Sequence, residues 1–234
     1  MENKAPSMPK HRSSARELLL KMPEVFSVAE FAMVAERPRT EASNYLWRFS
    51  KSGQVLGLGG KSGIFLNLVK APEAPEAASD GALWERAVLK AMPSALTGGH
   101  QVLADSGLST QVTHQRYLIV SNTDAMFDIA GAELHRRPLP WLKRLFAHDA
   151  VEIDAPGQTL PRLKPGAALA DLALHGAACP DPDDIDLYGV EAPEVALFSR
   201  LAKGSRLLID LEPQVRDILG AAKKRAQKSP GARP

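Results

Sequence analysis

SVAEFAMVAERPRTEASNYLWRFSKSGQVLGLGGKSGIFLNLVK, residues 27–70, is the stretch around which the chain is organised. Ser27 and Glu30 form the S-x-x-E pattern of a capping box, and Val28, Phe31, Ala32 and Ala35 follow at the spacing of one buried helical stripe. Pro38 stops that helix and leaves a tight turn at Arg37–Thr40. A second helix is expected from about Thr40 to Ser52, with Gly53 as its C-terminal stop. On a helical wheel Ala42, Tyr45, Leu46 and Phe49 share one side, and Asn44, Trp47, Arg48 and Lys51 share the other. Gln54–Leu58 and Ile64–Val69 are rich in strand formers. Gly57, Gly59, Gly60 and Gly63 lie between or beside them, so a hairpin with Lys61 at its tip is predicted.

Helix, turn, helix and hairpin in this order predict a winged helix-turn-helix. Upstream, residues 1–12 read as a polar arm. Ser13 or Ser14 can cap a first helix whose apolar face is Ala15, Leu18, Leu19 and Met22, ended by Pro23. Downstream, APEAPEAASD, residues 71–80, is a Pro/Ala/Glu spacer without an apolar face and marks a domain boundary. The expected organisation is a DNA-binding domain over 1–70, a linker over 71–80, an α+β domain over 81–222 and a basic tail over 223–234. In the second domain, helices are expected at Leu83–Met92, Gln101–Ser106, Ala167–His175, Ala192–Leu201 and Glu212–Lys224. Strands are expected at Gln115–Ser121 and Val151–Asp154, and Trp141–His148 fits either type.

Charge divides along the same lines. Residues 1–70 hold eleven Lys/Arg against six Asp/Glu, residues 71–222 thirteen against twenty-one, and the tail five against none. A basic head and tail around an acidic body suit a polyanion at the ends and a different partner in the middle. Aromatic residues make up 6% of the chain, which points to small Ala- and Leu-rich cores. One cysteine, Cys179, excludes a disulfide framework and a cysteine-built zinc site, and reads as a buried small apolar residue. The N-terminus has no apolar leader and no run reaches the length of a membrane span, so a soluble, cytoplasmic protein is expected.

A recognition helix needs one side that anchors it and another that enters the major groove. Asn pairs with adenine there, and Arg or Lys reaches guanine or phosphate. Asn44, Arg48 and Lys51 meet that requirement. Thr40 and Ser43 near the helix start suit the DNA backbone, as do Arg37 and Arg39 in the turn and Lys61 on the wing. Trp47 fits two roles, packing on a sugar or thymine methyl, or contacting the wing or the second domain.

Competing chemistries are weaker. VLGLGGKS ends in Gly60-Lys61-Ser62 like a P-loop, but Val55 stands where the first glycine belongs and a strand-like run follows. The dinucleotide pattern starting at Gly57 ends on Ser62 instead of glycine. Asp184-Ile185-Asp186 on a strand would put two carboxylates on one face, able to hold Mg²⁺ on a triphosphate as nucleotidyltransferases do, but the usual Gly-rich turn is missing. The six histidines show no ligand spacing, and no cofactor is expected.

The chain resembles the AbiEi-type antitoxins of type IV toxin–antitoxin systems. The resemblance rests on the helix-turn-helix followed by Gly53-Gln54-Val55 and Gly63-Ile64-Phe65 in the wing. It rests also on LTGGHQVLADSGL followed by RYLIVS at the start of the second domain. Together these cover about 100 of the 234 residues. Three features depart from the family: the wing is longer by about two residues, Phe65 replaces the commoner tyrosine, and Gly57 stands where a basic residue is usual. The resemblance implies a non-enzymatic autorepressor that binds inverted repeats in double-stranded DNA. It also implies a second domain that counteracts a nucleotidyltransferase toxin. A lone module of this kind makes too few contacts for tight specific binding, so either two copies on a repeat or help from the N-terminal arm is expected. Two other readings stay open from the residues: a nucleotidyltransferase-like enzyme using Asp184 and Asp186, and an adaptor whose winged helix binds protein.

Overall fold

A computed structural model describes residues 14–72, 81–109, 115–129, 131–153, 160–177 and 179–228. The N-terminal arm, most of the 71–80 spacer, His11, His114 and the last six residues lie outside the described residues. The chain divides into two compact units, Met1–Ala87 and Val88–Pro234.

The first unit runs α1 (Ala15–Lys21), β1 (Val25–Ser27), α2 (Val28–Val34), α3 (Arg39–Lys51), β2 (Val55–Gly57) and β3 (Ile64–Asn67). This is the element order of a winged helix-turn-helix. Capping boxes start both of the first two helices. Ser14 Oγ accepts from Glu17 N at 3.2 Å and the Glu17 carboxylate accepts from Ser14 N at 2.8 Å. Ser27 and Glu30 repeat the exchange.

Strand β1, three residues folded into the run before α2, was not expected from the sequence. It pairs antiparallel with β3, which pairs with β2, giving the sheet order β1-β3-β2. The core is Leu19, Met22, Phe26, Val28, Phe31, Ala42, Leu46, Phe49 and Val55. It is not the small Ala/Leu core expected from composition. Phe26, Phe31, Phe49 and Phe65 pack with ring centroids 5.9–6.2 Å apart.

Asn67 is fully buried at the end of β3, where its Nδ2 donates to Leu19 O at 2.7 Å and ties the sheet to α1. Asn67→Ala removes that bond and the side-chain acceptor of Val69 N, while Leu19 O keeps Met22 N as a donor. The substitution is expected to cost about 1–3 kcal/mol, read from chemical denaturation of the full chain.

The second unit continues with α4 (Ala82–Ala91, which contains the division), β4 (Leu96–Thr97), α5 (Gly99–Asp105), β5 (Arg116–Ser121), β6 (Ala132–Arg137) and α6 (Leu139–Ala147). It goes on through β7 (Val151–Glu152), β8 (Arg162–Leu163), α7 (Pro165–His175), α8 (Ala192–Leu201), α9 (Arg206–Asp210) and α10 (Glu212–Lys228). The sheet is mixed, in the order β6-β5-β4-β8-β7, with β5–β6 and β4–β8 parallel and the other pairs antiparallel. Together the units are an α+β fold. Trp141–His148 proves helical, and α10 runs four residues past the expected end, carrying Lys223, Lys224 and Arg225 of the basic tail on a helix.

Helix α7 is buried on nearly every side from Gly166 to Leu172. Gly166 makes that possible, because a Cβ there would lie 2.1 Å from Glu194 O of α8. Inside the unit, Asp171 and Arg137 form a buried ion pair at 2.7 Å. The Asp171 carboxylate also accepts from Trp141 Nε1 at 2.7 Å, and Arg137 Nη2 donates to the Tyr117 hydroxyl at 2.7 Å. Burial pushes the Tyr117 phenol up, while Arg137 pulls against that shift.

Three histidines lie against this group. His135 stacks on Tyr117 at 3.6 Å, His100 meets the same ring edge-on at 6.4 Å, and His175 tilts on Trp141 at 4.9 Å. Burial holds all three imidazoles below their ordinary value of 6.5. Glu133 partly opposes this at His100 and His135, and Asp171 at His135 and His175. The folded state therefore favours the neutral rings. As pH falls below 6.5, the unfolded chain takes up protons that the folded chain does not. The stabilisation is complete above that value and is lost as pH drops through the lower folded values. The urea midpoint is expected to fall between about pH 7 and about pH 5, and His135→Phe, which keeps a stacking ring, should flatten part of the decline.

Candidate nucleic-acid interface

The turn into α3 is built without glycine. Arg37 N donates to Ala32 O at 3.0 Å and Glu36 N to Met33 O at 3.2 Å, with Glu36 at φ 50 in the left-handed position that glycine usually fills. Helix α2 thus ends at Val34, earlier than Pro38 alone suggests. Pro38 is the N-cap residue of α3, which starts at Arg39, one residue before the expected Thr40. The far end closes in the same way with the usual residue. Gly53 at φ 68 lets Gln54 N donate to Phe49 O at 2.9 Å.

Between these stops, Ala42, Leu46 and Phe49 are buried, while Thr40, Ser43, Asn44, Trp47, Arg48 and Lys51 are exposed. Thr40, Asn44, Trp47, Arg48 and Lys51 lie on the side of the helix opposite the buried row. Tyr45 departs from expectation. It sits at the edge of the buried face, 36% exposed, with its ring 6.2 Å from Phe49.

The other candidates are exposed too, with differences that matter. Arg37 pairs with Glu41 at 3.5 Å, both about half exposed, so a phosphate would have to displace a carboxylate, at small cost. Ser43 Oγ already donates to Arg39 O at 3.0 Å and would give up that bond to serve a DNA backbone. Lys51 Nζ lies 5.7 Å from the Trp47 ring centroid. Arg39 opens α3. Lys61 is exposed on the loop between β2 and β3, where Ser62 Oγ donates to Gly59 O at 3.1 Å and accepts from Ile64 N at 3.2 Å. Strand β3 follows this loop, so no helix N-terminus faces the glycines. The loop is a wing, with no phosphate cradle of the P-loop kind.

The Asp184/Asp186 geometry is a correction. Pro182–Asp184 and Leu187–Gly189 are single 3₁₀ turns, and Ile185 between them is buried. Asp186 caps the second turn, its carboxylate accepting from Tyr188 N at 2.9 Å. The two acids are thus not on a strand: Asp184 closes one turn and Asp186 caps the next, with its carboxylate engaged by the backbone. Among the described residues no group of three or more His, Cys, Asp or Glu side chains is disposed to hold a metal ion. Cys179, expected to be buried, is exposed. Partial burial, and then Asp210, push its thiol up, which disfavours the nucleophilic thiolate. Among the described residues no helix is long and apolar enough to cross a membrane.

Neither a protein-family model nor a curated protein matches the chain. Among solved structures, the crystal structure of RV2827C protein from Mycobacterium tuberculosis is similar over 87% of this chain and 78% of that one. The identity is 16% and the TM-score 0.49, and at those values the likeness carries no functional argument.

Proposed function

We propose that this protein is a double-stranded-DNA-binding transcriptional repressor and the antitoxin of a type IV toxin–antitoxin system. On this reading it binds inverted repeats upstream of its own operon, two copies to a site, and opposes a nucleotidyltransferase toxin. The observation that carries the DNA half is α3, where exposed Asn44, Arg48 and Lys51 stand opposite a buried Ala42–Leu46–Phe49 row in a winged helix-turn-helix order. The antitoxin half rests on the resemblance of the wing and of the LTGGHQVLADSGL–RYLIVS segment to AbiEi-type antitoxins. The acidic composition of residues 71–222 suits a protein-facing role.

The test is an electrophoretic shift of DNA from upstream of the reading frame, paired with growth rescue when the protein is co-expressed with a neighbouring nucleotidyltransferase gene. A retarded band and rescue are expected. Co-purification of a protein partner with no DNA affinity at low salt would replace this reading with that of a protein-binding adaptor.

A further inference from the structure

Of the three tryptophans, Trp84 and Trp141 are 2% and 6% exposed, and Trp47 is 63% exposed. Trp47 projects from the polar side of α3, in one row with Asn44 and Lys51 and next to Arg48. The Lys51 ammonium is within cation–π reach of its ring. An indole left in water amid cationic and amide side chains matches a polyanion that also offers an apolar group. In the major groove of duplex DNA that group is the C5 methyl of thymine.

We infer that Trp47 is a specificity-determining residue that packs on a thymine methyl and holds the Lys51 ammonium toward the adjoining phosphate or guanine. This rests on the reading of α3 as a DNA-recognition helix and deepens it. Lys51 on a phosphate would supply charge without sequence preference, and on guanine it would say nothing about thymine. The indole converts the same row into one that distinguishes thymine from cytosine by its methyl.

The test uses the full chain and duplexes recovered by selection from a random pool, with each thymine replaced in turn by deoxyuridine, which removes only the methyl. The wild type is expected to lose about fourfold in affinity at one or two positions, the worth of burying one methyl-sized group. Trp47→Ala should bind more weakly and be indifferent to those same replacements. Its folding is checked by an unchanged melting curve.

Acrylamide quenching gives a second readout, because Trp84 and Trp141 are buried and the quenchable emission belongs to Trp47. Saturating duplex should suppress it. Duplex binding with Trp47 still quenchable, or with equal affinity for thymine and uracil at every position, overturns the assignment and leaves the DNA-binding reading standing. Failure to bind any duplex overturns both.

Discussion

Replacing Asn44, Arg48 and Lys51 together by alanine is expected to lower affinity for the specific duplex at least about a hundredfold, since each well-formed base contact contributes about 1–3 kcal/mol of discrimination. The fold should not notice. All three side chains are exposed, and surface substitutions of this kind stay within about 0.5 kcal/mol each. Fluorescence anisotropy with a labelled duplex, beside a thermal melt, separates the two effects. Arg37→Ala should behave differently, weakening binding only slightly, because its guanidinium is already shared with Glu41. Equal binding by the triple variant and the wild type would move the recognition surface off α3.

The largest expected stability effect lies in the second unit. Asp171 is fully buried, and its carboxylate accepts from Arg137 Nε and Nη2 and from Trp141 Nε1. Asp171→Leu removes the counter-ion of a guanidinium that is itself 4% exposed, leaving a charge without compensation in the core. Breaking one side of such a pair costs about 3–5 kcal/mol. For a chain of this size that corresponds to a fall in melting temperature on the order of 10 °C.

Adding Arg137→Met to Asp171→Leu should recover part of the loss, because no uncompensated charge then remains. The Tyr117 hydroxyl and Trp141 N–H still lose their partners, so recovery should be incomplete. A double-mutant cycle by calorimetry measures the coupling. If the double variant melts lower than Asp171→Leu alone, the buried charge is not what destabilises the single variant.

What was legible in the sequence follows from the range over which each element is determined. The two faces of α3 could be read because period 3.6 places Ala42, Leu46 and Phe49 together within one helix. The Ser27–Glu30 cap could be read because its partners are three residues apart. The Ser14–Glu17 box has the same spacing and was open to the same reading. Strand β1 was hidden because its three residues run straight into the α2 cap and are defined by Leu66, Phe65 and Ile64 across the sheet.

Strand β6 was missed for another reason. AELHRR alternates apolar and polar only over Ala132–His135, too short a run with weak strand formers before two arginines, and it is held by parallel pairing to the buried β5. With β6 unseen, Arg137 had no place in the core. Its pairing with Asp171, 34 residues away, could not be anticipated from ALADLAL, which reads as an ordinary apolar helix. Asp184-Ile185-Asp186 misled in the opposite sense. The alternation was real, and buried Ile185 shows why, but Asp186 spends its carboxylate on a local turn.

The central claim is that the first unit reads DNA through α3 and its flanking cations. The most direct measurement is the salt dependence of binding to the upstream duplex and to a scrambled duplex of equal length. With Arg39, Arg48, Lys51 and Lys61 as the phosphate and groove cations, and Arg37 already shared with Glu41, the predicted slope of log K against log salt is about −4 for one copy and about twice that for two. The upstream duplex should be preferred by on the order of 10³ or more. Identical affinity for both duplexes at every salt concentration, or no binding at low salt, would contradict the account.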